Sequence, residues 1–361
     1  MIAYSGSTQA SWLQRFSGIS YDNPAQLSLV KDKQIILGGT FSKFNLVFNG
    51  KTIGGNGRVT GNSAPGLPYF RYANRLSDRL VVGLDITDPV NLVQNWPKGS
   101  VVQNNIIYGR INSTDISPNL AYTLTSQLSA GAGLDFMYLV FDYISVRPVT
   151  NYLFTNRANS WGYSWHAGVL YKPTERTSFG LAYYNQIIQR PRGLSSLPDV
   201  TTTGWMTRYK IPNTVIFSVN QRINPKWKVL GTISRSWWRG FRSTTLVNTA
   251  IGDIPITYNF HNTWRVVLAN QYILNDKWIL KGGVGYDQGP GNDPNRSIIT
   301  PAITSYALSI GSHFQITKSL GWDIDYSHLF WQHITINNGS TMGRYFITAA
   351  NVVDTRLTLN L

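Results

Sequence analysis

From residue 33 to the end, large apolar residues alternate with small or polar ones in short segments set apart by turn-forming clusters. Trp264, Val266 and Leu268 alternate with Arg265, Val267 and Ala269. After Asn275-Asp276-Lys277 come Trp278, Leu280, Val284 and Tyr286 against Lys281 and Asp287, and after Thr317-Lys318-Ser319 come Trp322, Ile324 and Tyr326 against Asp323 and Asp325. A period of two places one set on each face of a β-strand. Read along the whole chain, it predicts fourteen strands near 33–48, 67–76, 79–88, 106–123, 127–142, 160–172, 176–190, 207–222, 227–239, 257–274, 277–288, 299–316, 319–334 and 347–361. Two folds satisfy such a pattern. A soluble sandwich buries the apolar set between two sheets, whereas a membrane barrel turns it to lipid and keeps the polar set in a wet lumen.

The connections discriminate between them. Six are tight, around Ser77-Asp78, Thr125-Ser126, Pro173-Thr174-Glu175, Asn224-Pro225-Lys226, Asn275-Asp276 and Lys318-Ser319. The seven between them are long and rich in Gly, Pro, Asn, Ser and Thr. Strict alternation of short and long connections belongs to outer-membrane barrels, which have tight periplasmic turns and longer outer loops. An even strand number with tight turns on the terminal side puts both chain ends in the periplasm. The fold class is therefore all-β: a fourteen-stranded antiparallel transmembrane barrel over residues 33–361. Residues 1–32 do not alternate and are rich in Gly, Pro and Ser. A lumen this wide is not filled by its own side chains, so this segment is expected to act as an N-terminal plug rather than a frayed tail.

Composition fits that reading. Charged residues make up 14% of the 361 and aromatic residues 13%, against about a quarter charged in soluble proteins. No apolar run approaches the ~18 residues of a spanning helix. Aromatics recur at strand ends (Trp161, Tyr171, Trp227, Trp264, Tyr272, Trp278, Tyr286, Trp322), where interfacial girdles form. The formal charge of +15 is spread without a Lys/Arg run or a nucleic-acid motif, so nucleic acid is not an expected partner. Instead, Lys51, Arg58, Arg147, Arg157, Arg192 and Arg242 lie in the inferred long loops, against Asp199, Asp253 and Asp293, where anionic membrane lipid and lipopolysaccharide are within reach. Cysteine is absent, which is compatible with passage through the periplasm. Residues 1–20 lack a signal-peptide pattern, and the chain is expected to start inside a longer precursor.

Several short sequences resemble those of the FadL-type long-chain fatty acid and aromatic hydrocarbon transporters. They are Ala3-Tyr4-Ser5-Gly6 and Tyr21-Asp22-Asn23-Pro24-Ala25-Gln26-Leu27, then Trp161-Gly162-Tyr163-Ser164-Trp165-His166, Asn224-Pro225-Lys226-Trp227, Trp237-Trp238-Arg239-Gly240-Phe241, Asn275-Asp276-Lys277-Trp278 and Tyr286-Asp287-Gln288-Gly289-Pro290. No one of them is specific, but their order along the chain is. The resemblance implies passive uptake of a hydrophobic molecule through a lumenal pocket, leaving sideways at a kinked third strand beside the Asn-Pro-Ala hatch. It carries Asn23, Pro24 and Ala25 over as hatch residues and points to Gly83 and Asp85 as neighbours at the lateral gate. Four features depart from the family pattern: the chain starts at the Ala-Tyr-Ser-Gly segment, connection 143–159 is short, Thr304-Ser305 stands where the family often has Asp-Arg, and the chain ends in Leu361 rather than an aromatic residue. Loss of a polar partner for a ligand carboxylate favours a neutral hydrophobe.

Among lumenal residues, Trp12, Phe16 and Met137 are candidates for the apolar wall of a pocket. Arg265, Lys281 and Arg356 are candidates to hold a carboxylate. The competing reading of these cations, which we favour, is mutual neutralisation with Asp287, Asp323, Asp325 and Asp354, since buried charges are paired as a rule. The five histidines lack metal-ligand spacing, and neither a metal nor a cofactor is expected. Ser164 and His166 share a face, which leaves a membrane-embedded Ser/His lipid hydrolase as an enzymatic alternative, although no nucleophile motif marks it. A general porin for polar solutes is the other alternative. A single chain, acting as a monomer, is expected.

Overall fold

A computed structural model of the chain describes residues 23–361. Among the described residues, fourteen strands follow one another round a closed wall, each antiparallel to the next. The first is Lys33–Thr52, the second Gly55–Ser63 continued by Gly66–Arg75, and the third Leu80–Thr87 continued by Asn91–Asn95. Tyr108–Thr123, Leu128–Val146 and Leu153–Tyr171 are the fourth to sixth. Thr177–Tyr184 and Thr214–Arg222 form the lower parts of the seventh and eighth. Trp227–Ser236, Thr263–Ile273, Trp278–Asp287, Ser305–Gln315, Leu320–Trp331 and Met342–Asn360 complete the wall. The last strand pairs with the first from Gln34↔Asn360 to Lys51↔Met342. Leu361 completes this seam with its backbone, donating its N–H to the Lys33 carbonyl at 2.9 Å. The barrel thus has no free edge, which is the condition for sheet in a bilayer.

Burial is inverted relative to a soluble sandwich. Along the fifth strand Leu134 and Phe136 are exposed while Ser129 and Asp135 are buried. On the sixth, Tyr163 is 65% exposed and its neighbour-but-two His166 is buried. Ile310 is exposed on the twelfth strand and Asp325 on the thirteenth is fully buried. Exposed apolar and buried charged side chains on the same strands are stable only where lipid replaces water outside. Aromatic pairs mark both rims: Trp278 stacks near Phe314 (centroids 4.6 Å) and Trp227 near Tyr272 (5.9 Å) at the short-turn end, with Tyr138 near Trp161 (5.2 Å) and Tyr286 near Tyr306 (5.4 Å) towards the other.

The structure corrects several strand limits. The fifth and sixth strands run on to Val146 and from Leu153, with Val146↔Leu153 as their last pair, so the connection expected at 143–159 shrinks to 147–152. The seventh strand leaves the wall after Tyr184 and the eighth rejoins it only at Thr214, where alternation alone carried them to 190 and from 207. Between these points Ile187–Gln189 and Tyr209–Ile211 pair with each other as a separate two-stranded sheet. The tenth and twelfth strands start later than expected, at Thr263 and Ser305, and the fourteenth earlier, at Met342. Each of these limits lies at the loop end, where alternating residues also occur in backbone that turns inward over the lumen.

Candidate transport path

The third strand breaks at Asp88-Pro89-Val90. Its lower half pairs with the second strand only as far as Phe70↔Ile86, and its upper half meets that strand at the single pair Asn62↔Asn95. The second strand breaks opposite, at Ala64-Pro65, and carries Pro68 just beyond. Prolines have no N–H to give to a ladder, so Pro68 and Pro89 strip donors from the two facing edges. A gap in the wall follows. On its fourth-strand side, Val90 keeps register by donating its N–H to Ser113 Oγ at 2.9 Å.

Directly inside the wall, towards the periplasmic end, sits the segment Asn23–Val30. Asn23 caps a short 3-10 helix, Pro24–Leu29, with its Oδ1 accepting the Ala25 N–H at 3.0 Å. Its amide reaches across to the wall, donating to the Val169 carbonyl at 2.8 Å and the Leu181 carbonyl at 3.4 Å. The approach is close because the wall is made of glycine there. A Cβ on Gly131 would lie 2.4 Å from Ala25 N, and one on Gly168 would lie 2.3 Å from Asn23 Oδ1. Gly83 receives Leu27, whose methyls stand 3.1–3.2 Å from where its Cβ would be. The far end of the segment is tied by Arg75, whose guanidinium donates to the carbonyls of Ser28 (2.7 Å) and Val30 (2.6 Å). Asn23, Pro24, Ala25 and Gly83 are thus brought together, by strands that sequence alone places far apart. Below them a cavity of about 300 Å³, lined in part by Asn23, Gln26, Leu29, Lys172, Glu175 and Lys228, opens towards the short-turn end.

Asp85 belongs to a second group, beneath the gap. Asn119 donates to Asp85 at 3.4 Å and accepts from His166 Nε2 at 2.7 Å, while His166 Nδ1 lies 2.9 Å from Asp135. Ser117 Oγ bridges Asp115 (2.6 Å) and Asp135 (3.3 Å). The Asn119 amide also donates to the Ser117 carbonyl at 2.9 Å, which fixes its oxygen towards the imidazole. Both ring nitrogens then face oxygen atoms of neighbouring strands. His166 stacks on Tyr184 at 4.6 Å between centroids. Ser164, in contrast, donates to the Gln186 carbonyl at 3.1 Å and makes no pair with His166. Sequence reading missed Asp115, Asn119 and the glycine socket. The inward glycines Gly131 and Gly133 were the available signal, because a barrel wall needs small inward residues only where something approaches it.

The three candidate cations lie in a ladder on the opposite wall. Arg265 Nε is 3.3 Å from Asp287. Lys281 bonds Asp323 and lies 3.2 Å from Asp325, and Arg356 Nη2 is 3.0 Å from Asp323. Asp354 accepts from Thr40 at 2.6 Å and Tyr69 at 3.0 Å. Arg265↔Asp287 and Asp323↔Arg356 are in register on neighbouring strands, Lys281 reaches Asp323 and Asp325 across the intervening Gly311, and buried charges are paired as a rule. Above this polar girdle the lumen turns apolar. Met137, Leu139, Phe141, Trp205, Trp238 and Phe241 belong to one buried cluster there. Phe241 stacks on Tyr258 (4.9 Å) and Trp238 meets Phe260 edge-on (5.7 Å). Met137 is packed into this apolar cluster, whereas Trp12 and Phe16 lie outside the described residues.

Residues 2–356 match the model of the outer membrane protein transport family (OMPP1/FadL/TodX). The chain belongs to this family. It is 22% identical over 371 residues to the long-chain fatty acid transport protein of Escherichia coli, covering 88% of this chain and 82% of that one. To the protein of the same name from Salmonella typhi it is 23% identical over 314 residues, covering 76% and 72%. Its fold superposes on a FadL homologue of Pseudomonas aeruginosa with a TM-score of 0.84 at 18% identity, covering 94% and 92%. The Pseudomonas putida toluene transporter TodX gives a TM-score of 0.70 at 14% identity, again covering 94% and 92%. Family membership establishes an outer-membrane transport protein, not an enzyme, and the hydrolase alternative falls with it.

Proposed function

We propose that the barrel carries hydrophobic molecules passively from the cell exterior and releases them sideways into the bilayer through the gap between the second and third strands. The observation that carries this reading is the adjacency of that gap to the Asn23–Leu29 segment, which we read as the hatch of a plug formed by residues 1–32. An apolar solute gains about 0.8 kcal/mol per CH2 on passing into hydrocarbon, so transfer into the bilayer needs no energy source. Entry through the protein avoids the polar lipopolysaccharide layer. The relatives are named for long-chain fatty acids and for toluene. For this chain we favour a neutral hydrophobe of the second kind: Arg265, Lys281 and Arg356 each face lumenal carboxylates, so a ligand carboxylate would compete with ion pairs already made. The barrel closes within one chain, and we infer a monomer whose partners are its ligand and the surrounding lipid.

The test is reconstitution into liposomes. Uptake of a toluene-like compound should speed up markedly, uptake of a long-chain fatty acid less, and steady ion conductance should stay low. Large steady conductance with no gain in hydrophobe uptake sinks this reading and favours a general porin.

A further inference from the structure

The inward course of the seventh and eighth strands leaves a recess on the outside of the barrel. Sixth-strand residues 160–165 fall between the ladder pairs His166↔Tyr184 and Asn159↔Arg192. Among the described residues their one backbone partner on that side is the Asn185 N–H, which donates to the Trp165 carbonyl at 3.0 Å. Trp161 and Tyr163 share the parity of Trp165, so their backbone polar groups point into the recess. The floor is the small sheet Ile187–Gln189 with Tyr209–Ile211, whose inner face (Ile187, Gln189, Tyr209, Ile211) is buried against the lumen. Its outer face carries Ile188 opposite Lys210. One step along the same register, exposed Arg190 comes opposite exposed Arg208. The Lys210 ammonium lies against Gly240, 2.9 Å from where a Cβ would stand, next to exposed Arg239.

None of Arg190, Arg208, Lys210 and Arg239 makes an ion pair among the described residues. From 185 to 262 the acids are Asp199 and Asp253 alone, and Asp253 is engaged by the Asn248 N–H at 2.8 Å. Like charges facing each other across a ladder are destabilising and call for an anion between them. The recess lies at the outer rim of the lipid belt: Trp161, Tyr163 and Trp165 face outward along one side, and exposed Arg157 and Asn159 follow immediately above. At that depth the anions on hand are lipid head groups.

We propose that this recess docks an outer-leaflet lipid, whose phosphate is held by Arg190, Arg208 and Lys210 while an acyl chain lies along Trp161 and Tyr163. Guanidinium forks match phosphate oxygens in pairs, and the same oxygens can accept from the unpartnered N–H groups of the sixth strand. The site requires only that the barrel sit in the outer membrane, and it stands whatever the barrel transports.

The test uses the full chain in detergent micelles, titrated with a bis-phosphorylated lipid A fraction or with neutral phosphatidylcholine and followed by native mass spectrometry. The phosphorylated lipid should be retained and the neutral one not. The triple variant Arg190→Gln, Arg208→Gln, Lys210→Gln should need at least about tenfold more lipid for the same occupancy. A double variant in the tight turns at the opposite end, Lys226→Gln with Lys277→Gln, should bind as the parent does, and millimolar inorganic phosphate should not displace the lipid. Heat-modifiable gel migration reports the folded barrel. If the triple variant fails it, each single variant should still weaken retention several-fold. Equal retention of both lipids, unchanged binding in the variants, an equal loss in the double variant, or full displacement by inorganic phosphate overturns the assignment.

Discussion

Asn23 and Val169 are 146 positions apart, yet the asparagine amide donates to the valine carbonyl at 2.8 Å from inside the barrel. The contact exists because Gly168 leaves no side chain in the way. It anchors the Asn23–Leu29 segment, the proposed hatch, to the sixth strand, and its loss should be measurable. Asn23→Ala removes both the wall bonds and the cap of the 3-10 helix, a change expected to weaken this anchorage by about 1–3 kcal/mol. Protease sensitivity of the N-terminal segment should rise while the heat-modifiable barrel band stays. Gly168→Ala should have the same effect by collision. A segment as protected in both variants as in the parent contradicts the socket.

The gap between the second and third strands makes a prediction about the exit. The chain has no cysteine, so Pro68→Cys with Asp88→Cys introduces an isolated thiol pair on the facing edges. Closing it with a short thiol cross-linker should reduce hydrophobe uptake by tenfold or more (an order-of-magnitude expectation for closing the proposed exit, each factor of ten being about 1.4 kcal/mol), and a cleavable linker should restore uptake on reduction. Uptake indifferent to cross-linking would place the exit elsewhere.

For the charge ladder, stability and transport should separate. Lys281→Met leaves Asp323 and Asp325 facing each other with one cation fewer, and breaking a buried pair from one side costs about 3–5 kcal/mol. The temperature of the heat-modifiable gel shift should fall accordingly. Adding Asp325→Asn should recover part of the loss. Uptake of a neutral hydrophobe by the surviving folded fraction should be unchanged, whereas a ladder that grips the ligand would lower it in proportion.

The packed aromatic group in the upper lumen should act as a seal. Phe241 contacts Tyr209, Tyr258 and Phe260 at 5.7, 4.9 and 5.9 Å between centroids. Phe241→Ala opens a hole there at about 3–5 kcal/mol, and single-channel recordings should show new ion-conducting openings absent from the parent. A silent variant would show that the seal lies lower, at the polar girdle or the hatch.

Period-two alternation and the alternating loop lengths were enough to determine the barrel. Each strand's two faces are written locally, as in Leu134 and Phe136 against Asp135, and lipid outside fixes which face turns out. The tight turns at Asn224-Pro225-Lys226 and Asn275-Asp276 are equally local. Pro68 and Pro89 were visible as residues, but a gap needs them on opposing edges at the same height, and this is a matter of register. The socket needs Gly83, Gly131 and Gly168 from three strands to meet one short segment. Above all, nothing in the alternation of 185–191 or 207–213 distinguishes a strand that stays in the wall from one that dives beneath it, because the side-chain period is the same on either course. The sequence by itself determined the strands, their faces and the barrel class. Closure of the sheet and packing across the lumen decided where the wall opens, what the Asn23–Leu29 segment touches and which charges meet, because those contacts join residues from tens to well over a hundred positions apart.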